Sequence, residues 1–321
     1  MSASIDQMNP GQWAIGLLGY GEVGRILAED LRARQVRVLA YDIKQQKPEA
    51  LSDLKAHAEE QGVQLCDTVG ELAAEADFII CAVTASQTVK AAQTVSAAIR
   101  QGAFFLDFNS ASPAAKQAAA ELIRSAGGRY VEGAVMSSMP PYRIRVPLLL
   151  GGPDADSLAP ALDALGFSAR VGSSRLGVAS ATKMCRSVMI KGLEAMVIES
   201  FTAARHYGVE QEVLGSLQET FPGIDWETTG AYFFQRVIEH GRRRSEEMYE
   251  SANTVRDVGM AAFSAQGTAD RQAWMADLAD QGVFGERGSN AFARSPDWRD
   301  EADRLLANLE RNRPTVSSGE L

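Results

Sequence analysis

The sequence predicts an α/β protein: an N-terminal Rossmann-type, doubly wound and mainly parallel sheet, followed by an all-helical C-terminal domain. Three observations carry that expectation. Short β-type runs alternate with alanine-rich helical stretches through the first half, the pattern of a parallel sheet covered by helices on both faces. A glycine-rich turn, "GLLGYGEVG", joins the first such run to a helix. Beyond about Gly172 strand signals cease and long helical patterns take over.

The strands are expected at Trp13–Leu18, Arg37–Tyr41, Phe78–Val83, Phe104–Phe108, Tyr130–Val135 and Val146–Leu150. Between them, Val23–Ala33, Ser86–Gln101 and Pro113–Ser125 read as helices. Pro113 suits a first helical turn, and Ser112 before it suits the cap. In the second half one long helix is expected from Gly177 to Tyr207, with Val178, Cys185, Met189, Leu193 and Met196 recurring along it at spacings compatible with one face. Further helices are expected over Glu210–Thr220, Trp226–Glu239, Ser245–Ala265, Ala269–Asp280 and Trp298–Arg311. The domains are thus expected at 1–172, the α/β domain, and 173–311, the helical domain, with a flexible polar tail at 312–321. No repeat of fixed period is present.

Composition narrows the function classes. With 321 residues, 45% of them hydrophobic, the chain can bury a large core. A formal charge of −9 argues against a general nucleic-acid binder, which needs a basic surface. The dense basic run Arg242–Arg244 reads as a solvated helix end. Cys66, Cys81 and Cys185 lie far apart, without disulfide or zinc spacing, as expected of reduced thiols in the cytoplasm. No apolar run approaches the ~20 residues of a membrane span, and the first dozen residues do not resemble a signal peptide.

The glycine turn places Gly19, Gly21 and Gly24 in a G-x-G-x-x-G pattern. Gly19 permits a tight turn, Gly21 a close approach of backbone to a pyrophosphate, and Gly24 the packing of helix on strand. The amides of the helix start, at Glu22 and Val23, then face the phosphates. Asp42 follows the second strand, eighteen residues after Gly24. A carboxylate there either holds the adenine ribose hydroxyls or serves as an ordinary turn residue. In the first case it opposes a 2'-phosphate, so NAD is favoured, with NADP the alternative because Lys44 and Lys47 lie close by. Ligands of such sheets bind at the carboxyl ends of the strands, which brings Val83, Thr84, Asn109 and Ser110 into the candidate site. Ser137 and Ser138 precede a Pro140–Pro141 turn and either aim hydroxyls at a substrate or form a plain loop. Arg143 and Arg145 alternate in a strand-like segment, suited to an anion or to solvent.

Taken in order, "GLLGYGEVG", "LDFNSASP", "VEGAVMSS", "LGVASATKMCRS" and "TVRDVGM" resemble the β-hydroxyacid dehydrogenases, the relatives of 6-phosphogluconate and 3-hydroxyisobutyrate dehydrogenases, over most of the chain. The resemblance implies an NAD(P)-dependent dehydrogenase of hydroxy acids or related secondary alcohols. It implies Lys183 as general acid/base, with Ser110, Ser137, Ser138, Ser187 and Asp257 binding substrate.

Departures from the family pattern mark a subgroup. Glu132 stands at the aspartate of D-A-P-V-S-G-G, Met136 at its serine, and Ser137 and Ser138 at its glycines. Ser187 stands at the asparagine one turn after the lysine, and Arg256 at the lysine of K-D-L-G. An imine reductase on the same fold and a non-catalytic dinucleotide-binding regulator are the alternatives; imine reductases usually lack the lysine.

Lys183 either snorkels to water or is held for chemistry. His57, His206 and His240 are isolated in the sequence and read as surface or satisfied residues. Phe221, Trp226, Tyr232, Phe233, Phe234, Tyr249 and Phe263 concentrate in the helical half as core or homodimer interface, any remainder suiting a bulky substrate. The expected partners are a small-molecule substrate and a second copy of the chain, with no nucleic acid, metal or membrane.

Overall fold

The computed structural model describes residues 9–289 and 292–312. The tail expected from 312 onward lies, beyond Asn312, outside the described residues. The chain divides into two compact units. One runs up to Arg186 and includes Asn253–Met260; the other comprises Ser187–Ala252 and the chain from Ala261 on.

The first unit alternates strand and helix. In order it contains β1 (Ala14–Leu18), α1 (Glu22–Arg32), β2 (Arg37–Tyr41), α2 (Pro48–Gln61), β3 (Gln64–Leu65), α3 (Val69–Glu75), β4 (Phe78–Cys81) and α4 (Thr88–Ser96). There follow β5 (Phe104–Asp107), α5 (Pro113–Ser125), β6 (Arg129–Val135), α6 (Met139–Tyr142), β7 (Pro147–Gly151), α7 (Ala155–Ala164) and β8 (Ser168–Ser173). The eight strands form one sheet in the order β3-β2-β1-β4-β5-β6-β7-β8. Only the β6–β7 pair is antiparallel. The strand order reverses between β1 and β4, which puts a switch point where their carboxyl ends meet.

Central strands are buried along their whole length, as a sheet covered on both faces requires. Alternate side chains feed two cores. Ile15, Leu17, Val38, Phe78, Phe104 and Leu106 pack with Leu27 and Leu31 of α1 and Leu158 and Leu162 of α7. Ala14, Leu18, Leu39, Ile79, Cys81 and Phe105 pack with Leu72 of α3, Val95 of α4 and Ile123 of α5. The Ser112 hydroxyl accepts the Ala115 amide and Pro113 opens α5, as the sequence predicts.

Two strands have no counterpart in the sequence reading, β3 and β8. The strand-like Arg143–Arg145 is a single 3-10 turn, and Pro140 and Pro141 lie inside α6. Arg143 takes a left-handed φ of +52°, held by Glu29 at 2.7 Å and Asp30 at 2.9 Å, so its charge is spent within the fold.

Helix α8 (Val178–Tyr207) starts in the first unit and continues into the second, which adds α9 (Glu210–Thr220), α10 (Trp226–Asp257), α11 (Phe263–Asp280) and α12 (Trp298–Arg311). Its core centres on Trp298, with the Phe201 ring tilted against it (4.8 Å between centroids) and the Phe234 ring stacked on it (6.2 Å). The helices expected at Trp226–Glu239 and Ser245–Ala265 are one continuous helix that stops at Asp257, and the next begins at Phe263 rather than Ala269. The basic run is accordingly not a helix end. Arg242 pairs with Asp277 and Asp280 of α11, while Arg244 is buried against Glu194 of α8. Of the aromatic group, Trp226, Phe233 and Phe234 are buried and Phe221, Tyr232, Tyr249 and Phe263 are exposed. Among the described residues no helix is long and apolar enough to cross a membrane.

Candidate active site

The glycine turn behaves as its spacing predicts. Gly19 has φ +100°, and a Cβ there would lie 2.4 Å from the Ala82 carbonyl oxygen at the end of β4. A Cβ on Gly24 would lie 2.1 Å from the Gly19 carbonyl oxygen, so helix α1 sits on the turn at a distance only glycine permits. Gly21 differs: a Cβ would meet nothing within 4 Å, and α1 begins there without a side-chain cap. A helix start with uncapped amides and open space above it suits an anionic group such as a pyrophosphate. Glu22 is exposed and Val23 half-buried in the first turn.

Asp42 is buried at the end of β2, with both carboxylate oxygens engaged. Oδ2 accepts the Tyr20 amide at 2.7 Å, and Oδ1 accepts the Lys44 amide at 2.9 Å. The Gln45 side chain accepts the Asp42 amide in return, completing a capping box. The carboxylate therefore does turn work and also ties the glycine turn to the end of β2.

Beneath the turn lies a group the sequence did not reveal. The Tyr20 hydroxyl is 2.9 Å from His57 Nδ1, and His57 Nε2 is 3.2 Å from Glu29 Oε1. Burial pushes the Tyr20 hydroxyl up to about 12, so it stays protonated and pairs with Nδ1 as a neutral group. His57 is thus a satisfied residue, and it braces α1 against α2.

Further along the sheet edge, Asn109 joins two strand ends. Its side-chain oxygen accepts the Val83 amide at 2.8 Å, and its amide nitrogen donates to Cys81 Sγ at 3.4 Å. Below it, Asp107 and Lys116 form a fully buried ion pair at 2.9 Å, and the Tyr130 hydroxyl donates to the other Asp107 oxygen at 2.8 Å. Asp107 also accepts the Asn109 amide. Burial beside Asp107 raises the Tyr130 hydroxyl well above its ordinary range, which keeps it a donor. Burial pushes the Cys81 thiol up to about 12, so the sulfur is inert.

Lys183 reaches this same edge. Its Nζ donates to Ser110 Oγ at 2.6 Å, linking the second turn of α8 to the loop that follows β5. Glu132 determines how α8 starts. This strand residue is wholly buried; its Oε1 accepts the Ala179 amide at 2.9 Å and its Oε2 the Ser180 hydroxyl at 3.0 Å. In the sequence Glu132 stands out only as a departure from the family pattern. A lone carboxylate inside an apolar strand was the signal, because a buried charge needs partners.

The structure thus brings Gly19, Gly21, Glu22, Val23, Gly24, Asp42, Val83, Asn109, Ser110 and Lys183 to one edge of the sheet. Thr84 is exposed beside Val83. Ser137 is exposed after β6, and Ser138 caps α6 without a side-chain bond. Ser187 is buried one turn beyond Lys183 on α8, and Asp257 is exposed at the end of α10. The Lys183–Ser110 hydrogen bond involves none of these last four side chains. Among the described residues no group of acidic, cysteine and histidine side chains could hold a metal ion.

The comparisons with known proteins agree with this geometry. A model of the NAD binding domain of 6-phosphogluconate dehydrogenase matches residues 14–169, and a domain of unknown function, DUF1932, matches residues 204–275. A conserved hypothetical protein of Sinorhizobium meliloti is 35% identical, covering 95% of this chain and 98% of its own, with a TM-score of 0.73. The chain belongs to the β-hydroxyacid dehydrogenase family. A conserved protein described as structurally similar to 3-hydroxyacid dehydrogenases is 28% identical over 83% of this chain and 99% of its own, with a TM-score of 0.64. The 3-hydroxyisobutyrate dehydrogenase of Mycobacterium tuberculosis, solved with L-serine, shares the fold at 19% identity, covering 92% of this chain and 99% of its own, with a TM-score of 0.66. The first unit is therefore an NAD(P)-binding domain, and the chain has the dehydrogenase-like fold of this family.

Proposed function

We propose that this chain is an NAD(P)-dependent oxidoreductase that acts on a hydroxy acid or related secondary alcohol, with Lys183 as general acid/base. The observation that carries the reading is the 2.6 Å contact between Lys183 Nζ and Ser110 Oγ. It directs the amine at the strand ends where this class of sheet binds its ligands, rather than along the helix to water.

The residues present fit the dinucleotide. The turn from Gly19 to Gly24 and the uncapped start of α1 would hold the pyrophosphate, Asp42 the adenine ribose, and Val83, Thr84 and Asn109 the nicotinamide end. What the nicotinamide supplies when bound is hydride transfer to or from carbon. The protein's part is the proton. As an ammonium, Lys183 gives one to a developing alkoxide; as an amine, it takes one from a hydroxyl. Ser110 accepts a hydrogen bond from Nζ and so fixes its direction. Ser137 and Ser138 are further candidates to hold substrate, and Ser187 and Asp257 join them on their resemblance to the family pattern.

NAD is the favoured cofactor, because the buried Asp42 carboxylate keeps negative charge where a 2'-phosphate would lie; exposed Lys44 and Lys47 leave NADP as the alternative. A homodimer is supported by α8, where Met189 is 73% and Met196 60% exposed on one side of the helix. Three free thiols support a cytoplasmic setting.

The test is a screen of NAD(H)- and NADP(H)-linked turnover against hydroxy acids, aryl alcohols and their ketones, followed by Lys183→Ala. Turnover should fall at least ~100-fold while NADH binding, read by fluorescence, stays within about twofold. Unchanged turnover removes the role assigned to Lys183. Binding without turnover of any substrate by the native chain favours a regulator.

A further inference from the structure

We propose that Glu132 is the positioning residue of Lys183, setting the start and rotation of α8 and thereby the direction of the amine. This deepens the reading above and rests on it for its catalytic meaning.

A strand buried in the middle of a sheet is a costly place for a charge. Glu132 lies in β6 between Asp107 of β5 and Gly151 of β7 in register, and it is wholly buried. A carboxylate is tolerated there because it accepts two hydrogen bonds from the first turn of α8, from the Ala179 amide and the Ser180 hydroxyl. The helix needs it as well. Residue 177, before the first turn, is a glycine with no side chain to cap the amides, and Glu132 caps them from the sheet. Lys183 follows Ala179 by four residues, on the same side of the helix and one turn higher. The carboxylate is therefore a pin through the turn below the lysine. A slip of one residue would rotate the helix by about 100° and swing the amine away from Ser110.

Space for the pin is provided by Gly151. A Cβ there would lie 2.2 Å from Glu132 Oε1 and 2.8 Å from Cγ and Cδ. The longer carboxylate, where the family pattern has aspartate, and the missing side chain at 151 are thus two halves of one device. This coupling distinguishes positioning from a general contribution to folding.

The experiment combines Glu132→Ala, Glu132→Gln, Glu132→Asp and Gly151→Ala in the full chain, with Ser110→Ala as control. Two readouts need no substrate: amide hydrogen exchange over residues 178–183, and the labelling rate of Lys183 by trinitrobenzenesulfonate across pH. NADH binding and the thermal melt report that the fold is intact. Glu132→Ala should speed exchange at least ~10-fold and change Lys183 labelling at least ~3-fold, with Glu132→Gln intermediate because its oxygen still accepts the Ala179 amide. Ser110→Ala should change labelling and leave exchange alone. Gly151→Ala should reproduce Glu132→Ala in the native background and do much less in the Glu132→Asp background, where the shorter carboxylate leaves room. Exchange and labelling at native rates in Glu132→Ala would overturn the proposal, as would equal effects of Gly151→Ala in both backgrounds. Should Glu132→Ala fail to fold, Glu132→Gln and the Gly151→Ala pair decide alone. Failure of the hydride-transfer reading would leave both readouts standing, so the two ideas fall separately.

Discussion

Helix α1 begins at Gly21 with no side-chain cap and open space above its backbone, whereas α8 begins under a buried carboxylate that takes up an amide and a hydroxyl. Both helix starts carry the same partial positive charge. The difference is where the compensating anion comes from. At α8 the fold supplies it, so the helix is locked and its side chains are aimed. At α1 no side chain caps the first amides and the acid of the first turn, Glu22, is exposed; on the function proposed above those amides serve an incoming group.

This contrast is tested most severely at Gly24. Gly24→Val pushes a side chain into the Gly19 carbonyl and should cost about 3 kcal/mol in urea unfolding, with loss of NADH binding; a fully stable variant would mean that α1 does not depend on its close approach to the turn. Next is the closed start, where Glu132→Ala should cost about 2 kcal/mol in the same assay, the value of a lost cap with donors left unpaired. Gly21→Ala should separate the two functions: its φ of −81° suits any residue and its surroundings are open, so stability should change by less than about 0.5 kcal/mol. NADH affinity should nevertheless fall by roughly tenfold, measured by fluorescence titration, because the methyl group occupies the room kept for the phosphates.

A weaker effect concerns how α1 is braced. Arg143 beside Glu29 holds that carboxyl below its ordinary range, and His57 adds to the effect. A lowered folded value means that the contribution is present above the ordinary carboxylate range and is lost as pH falls through the lowered value. The melting temperature of Glu29→Gln should therefore lie below that of the native chain at pH 7, and the gap should close toward pH 3.

Legibility in the sequence followed the strength of the local pattern. β2, α9 and α12 were readable to the residue, because an apolar run or an amphipathic period was bounded by turn residues on both sides. β3 has two residues and therefore no period at all, and β8, "SARVGS", is an edge strand of small and polar residues without the alternation of large apolar groups that marks a strand. Helix α10 read as two helices because Gly241 and the arginines after it look like a break. Gly241 is there for another reason: a Cβ would lie 2.7 Å from the Gln272 carbonyl oxygen, so glycine lets α11 cross closely, and Arg244 turns inward to Glu194. The glycine turn was legible from its local spacing, Asn109 and Ser110 from their place after a strand, and Lys183 from the ordered segments that resemble the family. The contacts of Glu132 and His57 were not, since no motif marks either residue's partners, 47 and 37 residues away in sequence, and only the fold brings them together.

The buried pair of Asp107 and Lys116, with the Tyr130 hydroxyl, lies directly under the strand end that presents Asn109 and Ser110. Such a foundation cannot shift without stranding a charge in the protein interior. On the function proposed above, a molecule docking at this edge would meet a strand end already set in place, and would lose little ordering entropy there.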